Sequence, residues 1–207
     1  MQRRLFTLAA TALAATSLAA PLAARAQAWP AHPVKLVVGF PGGSTPDMVA
    51  RAISEPLAQA LGQPVIVENK PGASGNIAAD YVAKATDGLT LGIVINGNLT
   101  SSKMLYSKLP YDPAKDFSYI SLLTTAPLIL VAPTSEPAGA AFFAEAKQQG
   151  DKWNYGSVGA GSVAHLGMEL LKSKVPGLKP VHVPYNGNPA VVTGLIGGQV
   201  QMALMPP

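Results

Sequence analysis

Five short stretches place glycine beside serine, threonine or asparagine directly after an apolar run, and four of them open a helical pattern. The first is V-G-F-P-G-G-S-T-P-D (38–47). Gly42 and Gly43 let a ligand approach the backbone, and Ser44 and Thr45 add hydroxyl donors where a helix start leaves N–H groups unpaired. No lysine lies in the bend and its nearest arginine, Arg51, is two turns away. An anion held here would be held by dipoles and neutral donors. G-A-S-G-N (72–76), with Ser74 and Asn76, and N-G-N-L-T (96–100), with Asn96 and Asn98, are of the same kind. G-A-G-S (159–162) and N-G-N-P (186–189) repeat the pattern in the second half. Any one of these alone reads better as a tight turn whose donors are met by its own cap and by water. Asp47, an acid in a first helical turn, fits that plainer reading. Several such bends at converging strand ends favour a shared site.

Other chemistries fit less well. G-A-G-S-V-A (159–164) matches the dinucleotide fingerprint, but no acid stands at the end of the following strand to hold a ribose. His165 and Glu169 share a helix face as a metal pair would, without a third ligand at useful spacing, since His32 and His182 are remote in sequence. His165 is expected as a hydrogen-bonded histidine at a helix start, or as a donor at a cleft. No G-x-S-x-G elbow, P-loop lysine or H-E-x-x-H occurs. An exported hydrolase using Ser162 or Ser157 with His165 is the enzymatic alternative. The reading expects no enzyme, no cofactor and no metal.

The elements that must position these bends follow one grammar. Val34 to Phe40 is a strand nearly continuous in Val and Leu, as expected when both faces are covered. Thr45 is the expected N-cap, Pro46 the first helical residue and Gly62 the stop. Val49, Ile53, Leu57 and Leu61, with Ala52 and Ala60, mark a stripe to bury, and Pro56 predicts a kink or break. Strands at 64–68 and 89–95 flank a helix carrying Ile77, Tyr81 and Ala85. Residues 119–132 form an apolar stretch interrupted by Pro127, read as two strands or a crossing segment. A helix at 138–149 and a strand at 154–158 follow. Next come a helix carrying Val163, Leu166, Leu170 and Leu171, a strand ending at Tyr185, a helix carrying Val192, Leu195 and Ile196, and a last strand at 199–205. Strands alternating with helices predict an α/β fold with largely parallel sheets, with ligands at the carboxyl ends of the strands.

The first 26 residues read as a cleavable signal peptide: Arg3 and Arg4, an apolar alanine-rich tract, then Ala24-Arg25-Ala26. Its removal takes three arginines from the 15 basic side chains and none of the 11 acids, so the remainder is close to neutral. That balance offers no footprint for nucleic acid. Cysteine is absent, which excludes disulfides and thiolate chemistry.

The ordered blocks P-V-K-L-V-V-G-F-P-G-G-S-T-P-D-M-V-A-R, G-Q-P-V-I-V-E-N-K-P-G-A-S-G-N-I-A-A, L-P-Y-D-P-A-K-D-F, A-H-L-G-M-E-L and H-V-P-Y-N-G resemble the Bug (TctC-like) extracytoplasmic solute receptors of tripartite tricarboxylate transporters. The resemblance implies a periplasmic two-domain clamshell, with domains at 27–125 and 126–207, that closes on a small organic carboxylate and hands it to membrane permease subunits. It places Gly42, Gly43 and Ser44 in the first-domain carboxylate bend and turns Ser74, Asn76, Asn96 and Asn98 toward the same cleft. From the second domain it implies Ser157, Ser162, His165 and Tyr185. The first bend is one residue longer than the family's usual G-G-small-Thr-Asp pattern. Members of the family also continue beyond the equivalent of Pro207, so the resemblance implies a C-terminally truncated first domain. A sensory protein that presents a carboxylate to a membrane partner is a further alternative.

Overall fold

The structure, a computed structural model, describes residues 29–207; the expected signal peptide, residues 1–26, lies outside the described residues. The first strand, β1 (Val34–Val38), is flanked by β2 (Val65–Asn69) and β3 (Thr90–Ile93) in a parallel sheet ordered β2-β1-β3. Its apolar run is explained by its central place: Val34, Leu36, Val37 and Val38 are all buried. Because all three strands run the same way, Val38, Asn69 and Ile93 end at one edge of the sheet.

Between β1 and β2 runs α1 (Thr45–Leu61). Its cap is Ser44, one residue before the expected Thr45, and Gly62 ends it in the left-handed region at φ 67°, its N–H bonded to the Ala58 carbonyl. Pro56 does not break the helix, which runs through it. Pro56 and Ala52, one turn earlier, are both exposed, so the carbonyl that proline leaves without a partner can face water. Ala52 and Ala60 are exposed too, so the buried stripe is narrower than expected and centres on Asp47 and Ala50.

After β2 the chain makes a 3-10 turn (Ala73–Gly75) into α2 (Asn76–Ala83). Asn76, Ala78 and Ala79 face inward, while Ile77 and Tyr81 are exposed. The stretch N-G-N-L is a helical turn, α3 (Asn96–Leu99), followed by α4 (Ser102–Leu105). Among the described residues no helix or strand lies between Leu105 and β4 (Ile129–Val131). Of the apolar stretch 119–132, only the part after Pro127 forms a strand, β4; the part before it is irregular, as a crossing segment would be, and Tyr119, Ile120 and Leu122 are exposed.

The second sheet has the order β4-β7-β5-β6. Here β5 (Asn154–Ser157) pairs in parallel with β6 (Val181–Pro184) and β7 (Met202–Met205), and β4 lies antiparallel on β7. Helices α5 (Ala140–Gln149) and α6 (Val163–Lys174) supply one core, in which Phe142, Trp153, Tyr155, Met168 and Met202 are buried. Helix α7 (Asn188–Ile196) supplies another with Val191, Leu195, Val200 and Ala203. Helix α6 turns Ala164 and Met168 inward, and Leu171 packs on the same core as expected. A Cβ at Gly167 would lie 2.8 Å from Leu204, so the helix sits close at that point, while Val163, Leu166 and Leu170 stay exposed. Residues His32–Pro207 pack as one unit, and Val158 of the second half joins the cluster of Val38, Phe40, Ala50 and Ile93.

Candidate functional site

The bends of the first sheet meet those of the second. The Asn188 side-chain amide, in the first turn of α7, donates to the Thr45 hydroxyl in the first turn of α1 at 3.1 Å. Ser101, just before α4, donates to the Gly161 carbonyl at 2.6 Å. Gly159, at φ 120°, lies so close to Ser74 that a Cβ there would overlap the Ser74 hydroxyl. Thus 41–45 faces 187–189, while 72–76 and 97–101 face 159–162. Two open grooves of about 430 and 570 Å³ lie elsewhere, beside Lys103 and Tyr111 and beside Lys70 and Tyr81. Neither is lined by these bends.

The first bend holds both an available donor and an anion of its own. Ser44 is 1% exposed and its hydroxyl has no protein partner. Gly42 and Gly43 are exposed. Asp47, 2% exposed, accepts from the Gly43 N–H at 2.9 Å, from Arg51 at 3.0 Å and from the Asn69 amide at 2.8 Å. The Arg51 hydrogen bond is the main cause that holds its carboxyl down at about 2, against the opposing effect of burial. The Gly43 N–H therefore serves the bend itself.

Asn76 and Asn98 form the floor of the neighbouring bends. Asn98 is fully engaged: it accepts from the Ile95 N–H at 3.3 Å and donates to the Ser74 carbonyl and to Asn76 Oδ1, each at 2.9 Å. Asn76 Oδ1 also receives the hydroxyls of Ser102 at 2.9 Å and Tyr111 at 2.7 Å. Burial, the largest cause, raises the Tyr111 phenol above its ordinary value. Asn76 Nδ2 is buried without a protein partner. Ser74 adopts φ 56° and receives the Tyr106 hydroxyl at 3.3 Å. Asn96 is exposed, its side chain accepting from Thr100 at 2.8 Å.

In the second half, Ser162 caps α6 by accepting the His165 N–H at 3.3 Å. Ser157 is buried and accepts the Gly159 N–H at 3.1 Å. His165 Nδ1 accepts the Gly161 N–H at 3.3 Å. His182, remote in sequence, is not remote in space: its ring centroid lies 4.3 Å from that of His165 and 4.9 Å from that of Tyr155, and its Nε2 is 2.7 Å from Ser157 Oγ. Burial, then His165, push its imidazole down to about 4. The Tyr155 hydroxyl donates to Glu169 at 2.6 Å, and Glu169 also pairs with Lys172 at 2.8 Å. Burial and that carboxylate raise the Tyr155 phenol far above its ordinary value. Among the described residues no group of three His, Asp or Glu side chains could hold a metal ion.

Tyr185 is not brought into the junction. It packs with Val191 and Val200, and its hydroxyl sits at Gly194 and donates to Gln199 at 3.3 Å. Helix α7 runs back along the sheet from its start at Asn188, so Gly194 lies toward the end away from the bends. Sequence reasoning passed over His182, Ser101, Tyr111 and Asn188. Only Asn188, in a second N-G-N bend, carried a local signal.

A family model described as the tripartite tricarboxylate transporter family receptor matches residues 49–206. A UPF0065 protein of Bordetella pertussis is 38% identical over 189 residues, which are 90% of this chain and 58% of that protein. Among solved structures, R. palustris Rpa4515 with adipate superposes with a TM-score of 0.82 at 36% identity, covering 86% of this chain and 60% of that one. MatC (Rpa3494) from Rhodopseudomonas palustris with bound malate gives 0.79 at 35% identity, covering 86% and 61%. The chain spans about 60% of the length of these relatives.

Proposed function

We propose that this chain, which belongs to the tripartite tricarboxylate transporter receptor family, captures a small organic carboxylate in the periplasm for the permease subunits of a membrane transporter. The family is one of solute-binding receptors, and the chain shares its mixed α/β periplasmic-binding-protein architecture. Residues 1–26 act as the export signal, and the lobes are 27–125 and 126–207. The observation that carries the reading is the meeting of uncharged donors from both lobes at strand ends, with the buried Ser44 hydroxyl left unpaired at the start of a 17-residue helix.

The roles divide as follows. Gly42, Ser44 and Thr45 offer donors from the first lobe, with Ser74 and Asn76 beside them. Gly43, Asn98 and Ser157 hold the bends in shape. Ser162 and His165 approach from the second lobe. Neighbours carrying adipate and malate support a carboxylate as the ligand class. Since the lobes touch at several points, the ligand enters by a hinge opening in the irregular stretch before β4. Contacts with both lobes then favour closure. The Ser157–His182 pair belongs to the support of a bend in a receptor, not to a nucleophile. Calorimetry with adipate, malate and the neutral diamide of adipate tests the reading. Binding of an acid and not of the diamide is expected; binding of neither acid by the folded protein overturns it.

A further inference from the structure

The second-lobe bend is held by two imidazoles that sequence reasoning did not pair. Ser157 Oγ accepts the Gly159 N–H at 3.1 Å and lies 3.2 Å from the Gly159 carbonyl, so one hydroxyl closes the turn on both sides. That hydroxyl is in turn held by His182 Nε2 at 2.7 Å. Two residues further along, the Gly161 N–H donates to His165 Nδ1 at 3.3 Å. Both glycines touch the first lobe, Gly159 against Ser74 and Gly161 under the Ser101 hydroxyl. We propose that His182 is a positioning residue for ligand capture: acting through Ser157, its neutral ring fixes the Gly159–Ser162 bend against the first lobe, and a proton on that ring releases the bend. This rests on the carboxylate-receptor reading.

The surroundings explain why the neutral ring is required. From α6, His165 meets the His182 ring at a centroid distance of 4.3 Å and uses its own Nδ1 lone pair on Gly161. From β5, Tyr155 covers it at 4.9 Å. The charged groups near the stack are Glu169 and Lys172. Glu169 is already committed, to the Tyr155 hydroxyl at 2.6 Å and to Lys172 at 2.8 Å, and Lys172 lies over the Tyr155 ring at 5.6 Å. A cation on His182 would thus sit in a half-buried stack with no free carboxylate and with a lysine nearby. Relief comes when the ring leaves the stack, and Ser157 then loses the partner that orients its hydroxyl.

The test uses His182→Phe, which keeps an aromatic ring and removes the hydrogen bond, and His182→Gln, which keeps a donor near the Nε2 position and cannot be protonated. Near neutral pH, adipate or malate binding by His182→Phe is expected to weaken about tenfold and by His182→Gln less than about threefold, as for loss or retention of one buried hydrogen bond. The wild-type to His182→Gln affinity ratio, which cancels protonation of the acid itself, is expected to fall as the pH drops toward about 4. A second readout needs no ligand: the Gly159 and Gly161 amide NMR signals should move with the His182 ring titration, and in His182→Gln the Gly159 signal should stop moving while Gly161 still reports His165, to which it is bonded. A pH-independent affinity ratio, or amides that ignore the ring titration, overturns the proposal. If neither acid binds while the amides follow the ring, the carboxylate reading fails and the positioning role stands. Should His182→Phe not fold, the His182→Gln comparison and the amide titration decide alone.

Discussion

The Asn188 amide and the Thr45 hydroxyl meet at 3.1 Å, joining the first turns of two helices that begin 143 residues apart in the chain. This bond and the one from Ser101 to Gly161 both tie the first half of the chain to the second. Each is worth about 0.5–1.5 kcal/mol when both partners are otherwise solvated in the open state. Asn188→Ala and Ser101→Ala should therefore shift the free protein toward open forms. Small-angle scattering should show a larger radius of gyration for the double variant than for the wild type, both without ligand. No change in the free protein would show that these bonds do not govern closure.

Beneath that junction, Asn76 Oδ1 collects donors from Asn98, Ser102 and Tyr111 inside a buried network. Tyr111→Phe removes one donor and leaves the others in place, so it should lower stability by about 1 kcal/mol. Asn98→Ala strips the Ser74 carbonyl and the Ile95 N–H of a partner and should lower it by about 1–3 kcal/mol. Urea denaturation measures both. An Asn98→Ala variant as stable as the wild type would argue that the network is dispensable.

How much of this was legible beforehand follows the range of each interaction. The Val and Leu run of β1, the stop at Gly62 and the glycine-rich strand ends are local signals, and they placed the bends correctly. Pro56 predicts no break in α1 once its face is known, because the carbonyl it leaves unpaired lies on an exposed face. The stripe of α6 was right at Leu171 and wrong at Val163, Leu166 and Leu170, because the face that approaches the sheet runs through Ala164, Gly167 and Met168. Tyr185 and His182 lie three residues apart on one strand and its end, yet one packs on α7 and the other against α6. That division is set by the sheet's two covered faces, which strand periodicity alone did not assign.

Asp47 gives a pH prediction with a definite sign. Its carboxyl titrates at about 2 in the folded protein against an ordinary value of 3.8, chiefly because of Arg51. The folded state thus binds fewer protons than the unfolded chain between those values. The stabilisation is full above about 3.8 and is lost as the pH falls through about 2. Arg51 is largely exposed, so screening reduces the contribution to roughly 1–2 kcal/mol. Asp47→Asn should lower stability near neutral pH and flatten its dependence below about pH 4, read from urea midpoints at successive pH values. A variant whose profile overlays the wild type would remove Asp47 from the account of the first bend.

Gly159 should be among the least tolerant positions in the chain. Its φ of 120° is strained for any L side chain, and a Cβ would enter the Ser74 hydroxyl. The two effects separate in a pair of variants. Gly159→Ala should lower stability by roughly 1–3 kcal/mol from backbone strain and also hold the lobes apart. Adding Ser74→Gly removes the obstructing hydroxyl and should restore closure, seen by small-angle scattering, without recovering the lost stability. If Gly159→Ala alone closes normally on adipate, the contact between the bends is softer than the geometry requires, and lobe closure does not depend on the fit of Ser74 against Gly159.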